Sequence, residues 1–396
     1  MHRGEARRVV RALLLCLLMV PLVWAPAMAF DLGEWVPGLK VSPFLSQKVD
    51  YESNIFQVPS HAQGDEIFKT IPGLVGDYTF GPHSLSAGYR AEFWNYDHLT
   101  SQNTVNHFAL GELRLDFPRT LLTLHEDFAR TNIPPGTELT GPIQSSTNTL
   151  RPEGEYRLTP RFGLGLNYSW IHTSFTNQSI ATLIDRDDQL AGTSVFWHFV
   201  PKASLFLHYS YGWTTFASSS ENRNYTSQNV TVGVRGDMTP KLSSSLQVGY
   251  THEDVANSSQ NGYSGLIVSG DTTYKATERI SLTLSTLGAR QESTFGTNAF
   301  YVTSTATLAA VYQILPKLSL TARLGGGINN YATKQFADGM TAFRRDPFIL
   351  ASAVAEYDIQ PWLRVGLEYT RISRDSNFPS FRFVDDRISG RATVQF

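Results

Sequence analysis

The chain has 396 residues, with 33 basic and 35 acidic side chains, a net charge of −2 and one cysteine. That near balance excludes nucleic acid as a main partner, and a single thiol excludes a disulfide framework. Only 17% of residues are charged, while Ser, Thr, Tyr, Phe and Gly are abundant.

Arg3, Arg7, Arg8 and Arg11 make a basic head, Ala12 to Trp24 an apolar run interrupted by Pro21, and Ala27-Met28-Ala29 a cleavage site of the A-x-A kind. This is the three-part form of a secretory signal, and the apolar run is short for a membrane anchor. Cleavage after Ala29 divides the chain into a signal peptide, 1–29, and one domain, 30–396. Cys16 sits inside the apolar run behind bulky Leu15, which argues against a lipoprotein signal. Removing the segment's four Arg and one Glu leaves 29 basic against 34 acidic residues and no thiol.

From residue 40 onward the hydrophobic period is two, not 3.6. In "KASLFLHYSYGW", Ala203, Leu205, Leu207, Tyr209, Tyr211 and Trp213 share one face. In "PWLRVGLEYT", Leu363, Val365, Leu367 and Tyr369 oppose Arg364, Gly366 and Glu368. Tight Pro-containing turns recur near 81, 118, 159, 201, 239, 315 and 360, with a Thr-Glu-Arg turn near 278, every 37 to 45 residues. Proline cannot extend a ladder and suits a sharp reversal. Each interval holds a strand, a longer polar loop and a returning strand. The predicted strands are 40–50, 66–80, 84–96, 104–117, 120–131, 147–158, 161–174, 187–200, 202–216, 224–238, 241–253, 262–276, 279–292, 300–314, 317–330, 345–359, 361–373 and 385–396.

A propeller also repeats at such a period, but its strands are shorter and its blades carry a recurring motif absent here. Strands of this length exceed the roughly 9–11 residues that cross a bilayer core, and only a closed barrel satisfies every backbone group there. The expectation is an all-β fold: a closed antiparallel up-and-down transmembrane barrel of about 18 strands in the outer membrane of a Gram-negative cell. Its lipid face is apolar with aromatic strand ends. The final "ISGRATVQF" puts Ile388, Gly390, Ala392, Val394 and Phe396 on that face. Phe396 then serves as a C-terminal signal for the barrel assembly machinery.

The opposite faces define the lumen. They place Arg90, Glu92 and Trp94 inward, followed by Glu112 and Arg114, then Arg151, Glu153, Glu155 and Arg157. Phe206, Arg235, Arg323, Arg364, Glu368 and Arg391 complete the candidates. Mixed signs suit cross-strand pairs and a pore of weak ion preference. Trp94, Tyr96, Phe196, Phe206 and His208 are inward rings suited either to packing or to carbohydrate. At this strand number an aqueous channel is expected. No plug domain precedes the first strand, and "NIPPGTELTGPIQSS" (132–146) either caps the barrel or folds inward.

Enzymatic chemistry is poorly supported. His125, Glu126 and Asp127 in "LHEDF" form the closest cluster, and Glu126 shares a face with Leu122, Leu124 and Phe128, so a bulge is expected there. Asp50, Glu52 and Asn54 in "DYESN" lack the glycine and distal Glu of an EF-hand. No catalytic residue, cofactor or metal is expected.

The stretch "SPFLSQKVDYESNIFQ" followed by "DEIFKTIPGLVGDYTFGPHSLSAGYRAEFWNY" resembles the beta-barrel porin 2 family over about 60 residues. That resemblance implies an outer-membrane conduit for exopolysaccharide export, with outer-membrane lipid, periplasmic polysaccharide-export proteins and a polysaccharide as partners. A general or solute-selective diffusion porin is the first alternative. A non-conducting scaffold or adhesin, its lumen closed by the Arg/Glu network, is the second.

Overall fold

The computed structural model describes residues 36–133, 138, 141–218, 223–256, 262–294 and 300–395. The signal segment with Ala29, and Phe396, lie outside these residues. The strands are β1 (Leu39–Glu52), β2 (Asp65–Phe80), β3 (His83–Tyr96), β4 (Thr104–Asp116), β5 (Thr120–Thr131), β6 (Ser145–Arg157), β7 (Phe162–Phe175), β8 (Arg186–Val200) and β9 (Ala203–Phe216). They continue as β10 (Tyr225–Thr239), β11 (Leu242–Val255), β12 (Tyr263–Lys275), β13 (Ile280–Glu292), β14 (Phe300–Leu315), β15 (Leu318–Ala337), β16 (Met340–Gln360), β17 (Leu363–Arg374) and β18 (Phe383–Gln395).

All 18 strands form one antiparallel sheet in which each pairs with its sequence neighbours. β1 also pairs with β18, from Phe44↔Gln395 to Glu52↔Arg387, so the sheet closes on itself. Closure leaves no unpaired edge, which is what hydrocarbon surroundings demand. No helix among the described residues is long and apolar enough to cross a membrane. One short helix, α1 (Gln178–Ile184), sits in the β7–β8 loop, capped by the Asn177 side chain accepting from Ser179 N.

The outside of the wall is apolar, with Leu166, Leu266 and Leu324 prominent. Exposed Phe117, Phe162, Trp197, Tyr274 and Tyr357 ring the end with short turns, and Phe93, Tyr211, Tyr250 and Tyr369 lie toward the loop end. Short turns mark the periplasmic rim and longer loops the extracellular one.

Sixteen strands end within two residues of their predicted limits. β15 and β16 do not: they reach 20 and 21 residues and meet at a turn through Asp338 and Gly339, whose φ values are +52° and +75°. The stretch "NYATKQFADGM", expected to be a loop, is a hairpin rising beyond its neighbours. The bulge expected at "LHEDF" is also absent. β4 and β5 keep unbroken register from His107↔Arg130 to Asp116↔Leu121. His125 and Asp127 therefore face inward, and Glu126 stays on the lipid-facing register opposite Gly111 and Leu150. Ladders on both sides of β5 outweigh one misplaced carboxylate.

The motif residues of β1 and β2 have a packing reason. Phe44 and Gly73 are cross-strand partners facing inward. A Cβ on Gly73 would lie 2.2 Å from the Phe44 ring, so the ring lies flat on the wall only because β2 carries Gly there. Pro72 falls on the outward register opposite Leu45.

Candidate functional site: the lumen and its outer mouth

The inward faces build three ionic groups at the extracellular end. In the first, Asp50 is fully buried and receives Lys69 at 2.6 Å and Lys48 at 3.3 Å, while Glu52 pairs with Arg387 at 2.7 Å. Asn54 bonds Val58 O, Val384 O and Val58 N through its side chain. The "DYESN" side chains are thus engaged in wall pairing and a turn.

The second group lies on β8, β10, β11 and β13. Arg186 pairs with Asp188 at 2.8 Å, and Arg290 bridges Glu253 at 3.0 Å and Glu292 at 2.5 Å. Arg290 is also sandwiched by the rings of Tyr225 and Phe300. In the third, Arg344 and Asp346 are both fully buried and joined at 2.5 Å, with Arg344 between the rings of Tyr331 and Phe381. Burying a charge is costly unless it is paired, and each of these buried charges has an opposite one beside it.

The loop between β5 and β6 ties two of these groups together. Glu138 is 1% exposed. Its carboxylate accepts from Ser293 Oγ at 2.6 Å and from Thr294 N at 2.7 Å and Oγ1 at 2.5 Å, just beyond β13. Its backbone carbonyl accepts from Arg374 Nη1 of β17 at 2.6 Å. β5 and β13 are eight strands apart in a circle of 18, so this contact crosses the mouth almost along a diameter. Residues 134–137, 139 and 140 of this loop, expected either to cap the barrel or to fold inward, lie outside the described residues, and Glu138 is held at the mouth. Burial pushes the Glu138 carboxyl above the usual carboxylate range, opposed by the Ser293 and Thr294 hydrogen bonds.

Two cavities flank the lumen below this strut. One, of about 550 Å³, runs from Ile133 down to Pro361 and Trp362 at the periplasmic rim. Glu92 organises its β3 side, accepting from Arg90 Nε at 2.9 Å and from Trp94 Nε1 at 3.1 Å, and Lys69 caps the Trp94 ring. Across it, Arg364 pairs with Asp358 at 2.7 Å, Lys48 with Glu368 at 3.6 Å, and Arg391 with Glu356. Each basic group of this wall has a carboxylate partner.

The other cavity, of about 540 Å³, lies on the wall from β5 to β13 and is lined by amides, hydroxyls and rings, among them Asn167, Asn229, Gln247, Phe206 and His208. Phe196 and Phe206 meet at 6.0 Å between centroids, and Arg235 covers Phe196 while pairing with Glu155. A Cβ on Gly165 or Gly233 would collide with these rings, so both lie against bare backbone. Glu153 lines this cavity.

The remaining candidates are also on the inward register. Glu112 faces His125 at 3.5 Å, and Arg114 donates to Asp116 at 3.0 Å. Arg151 lies opposite His125, Arg157 opposite Gly163, and Arg323 opposite Ser352. Composition and alternation did not single out Glu138, Arg344, Asp346 or Arg374, nor the Arg290 cluster. The strand residues were within reach of the same alternation, since Asp346, Glu253, Arg290 and Glu292 lie inside predicted strands and Arg186, Arg344 and Arg374 one residue beyond an end. Glu138, alone in a Pro- and Gly-rich loop, carries no periodic signal.

The sequence profile of the family described as Putative beta-barrel porin 2 matches residues 31–396. No curated protein matches the chain significantly. Among solved structures, the outer membrane protein OpdK from Pseudomonas aeruginosa is similar, with 12% identity, a TM-score of 0.50, and 90% of this chain and 99% of that one covered. OccAB4 of Acinetobacter baumannii has 13% identity and a TM-score of 0.49, over 90% and 98%. Pseudomonas aeruginosa OccK2 (OpdF), solved with glucuronate, has 12% identity and a TM-score of 0.49, over 90% and 98%. At these identities the likeness to OpdK concerns the fold alone.

Proposed function

The chain belongs to the putative beta-barrel porin 2 family and is an outer-membrane β-barrel channel of porin type; we propose that it passes small hydrophilic solutes, selected by size at the Glu138 strut. The observation that carries this reading is Glu138 itself, held at the extracellular mouth by Ser293, Thr294 and Arg374. The paired charges of the β17–β3 wall favour weak ion preference, because no single sign dominates. The amide- and hydroxyl-rich opposite wall favours uncharged polar solutes.

Liposome swelling with neutral sugars of increasing length tests this. Mono- and disaccharides should enter and long oligosaccharides should not. Equal exclusion of all of them would favour the scaffold reading instead.

Export of an exopolysaccharide is the second reading. The rings of Phe196 and Phe206 beside a hydroxyl-rich cavity favour it, since sugar C–H faces stack on such rings. A polymer must displace the strut. A disulfide between Glu138→Cys and Ser293→Cys would then block export reversibly, and unaltered export through the locked barrel would exclude this route.

A further inference from the structure

The β15–β16 hairpin continues the lipid-facing surface beyond the bilayer. Along β16 the outward register runs Ile349, Pro347, Arg345, Phe343, and β15 places Lys334 opposite Phe343. Ile349 is 58% exposed on the lipid face, and above it Phe343 and Phe336 are 50% and 75% exposed. The neighbouring strands pair with the hairpin only up to Tyr301↔Tyr331 on one side and Phe348↔Arg374 on the other. Starting from the periplasmic belt at Tyr357, about 10 tilted residues exhaust the hydrocarbon core. Arg345 therefore sits at headgroup depth, with Lys334, Phe343 and Phe336 just above.

The charges on this face are one-signed. Arg345 donates to Asn330 Oδ1, and Lys334 lies near the Phe343 ring. Neither has a carboxylate partner among the described residues, in contrast to the basic groups of the first cavity's wall. The hairpin's own carboxylates point elsewhere: Asp338 accepts from Ser380 N, and Asp346 is buried against Arg344. The hairpin is braced from behind, since Asn377 donates to Phe343 O and accepts from Arg345 N.

We propose that this face binds lipopolysaccharide of the outer leaflet, with Arg345 and Lys334 on its phosphates and Phe343 and Phe336 against its sugar rings. Continuity with the lipid belt identifies the occupant as a membrane lipid. The two unpaired cations require it to be anionic, and exposed rings above headgroup depth require sugar rather than acyl chain there. Cations paired to phosphate form strong charge-assisted bonds.

The test uses the full barrel in neutral detergent with purified lipopolysaccharide as the probe, reading affinity and the shift in unfolding temperature. Wild type should bind and be stabilised. Dephosphorylated lipopolysaccharide and free inorganic phosphate should not reproduce the effect. The double variant Lys334→Ala/Arg345→Ala should lose roughly tenfold or more in affinity, the scale of one or two charge-assisted contacts. Phe336→Ser/Phe343→Ser should weaken binding without abolishing the phosphate dependence. Arg382→Ala, on the neighbouring loop where Arg382 pairs with Asp375, should bind as wild type. Equal binding of the dephosphorylated lipid by wild type overturns the proposal, and needs no variant to fold. So does an unchanged affinity in the lysine-arginine double variant.

Discussion

Arg374 and Glu138 are 236 residues apart in sequence, yet the guanidinium of one donates to the backbone carbonyl of the other at 2.6 Å. One contact thus fixes Glu138, from the β5–β6 side, to the top of β17. With the carboxylate's three bonds near β13, it makes Glu138 a strut between the two strand ends.

Weakening that strut should widen the mouth. Glu138→Ala removes three acceptor contacts and should raise single-channel conductance in planar bilayers while leaving strand content unchanged. Unaltered conductance would remove the strut from any role in permeation.

The same carboxyl gives a pH dependence. Its affinity for a proton is raised by burial, so the folded strut binds protons more tightly than the released loop. Docking is therefore stabilised as pH falls through the raised value and weakens as pH rises above the unfolded one. Conductance should be lower in acid, and Glu138→Gln should flatten that profile. A profile identical in the glutamine variant would assign the dependence to another group.

Glu92 holds both Arg90 and Trp94. Glu92→Gln leaves Arg90 without its carboxylate and makes the first cavity wall net positive. The reversal potential in a salt gradient should move toward anion selectivity. No movement would mean that permeating ions avoid this wall.

Gly73→Ala places a methyl inside the Phe44 ring and should destabilise the barrel by about 1–3 kcal/mol. Phe44→Ala should relieve much of that cost in the double variant, a coupling read from denaturant midpoints in detergent. Additive effects would show that the two residues do not constrain each other.

Asp346→Asn removes the buried carboxylate that pairs with Arg344 and lies beside Arg374, and should cost about 3–5 kcal/mol, read from the same unfolding curves. A change below about 1 kcal/mol would mean that water reaches this pair.

Strands β1 to β14, β17 and β18 were legible because two constraints act locally: alternation sets the faces, and Pro or Thr-X-Arg turns set the ends. β15 and β16 escaped because Asn, Thr, Lys and Gly read as loop where the hairpin leaves the lipid and alternation relaxes. Glu126 was misjudged for the opposite reason. Alternation was applied to one strand, whereas register is decided by two ladders at once. The lumen residues were readable as a class from their face, but their partners were not. Arg235 meets Glu155 and Lys48 meets Glu368 only because the wall curves. Glu138 needed the closed circle, since its partners lie across a space that the sequence does not encode locally.

Seventeen of the eighteen seams join adjacent segments, and only β1–β18 joins distant ones. Mechanical load applied along the chain therefore meets one remote clasp and a series of nearby zippers. Once the clasp opens, extraction by an atomic-force tip should proceed in steps of one or two strands, giving a sawtooth trace instead of a single rupture.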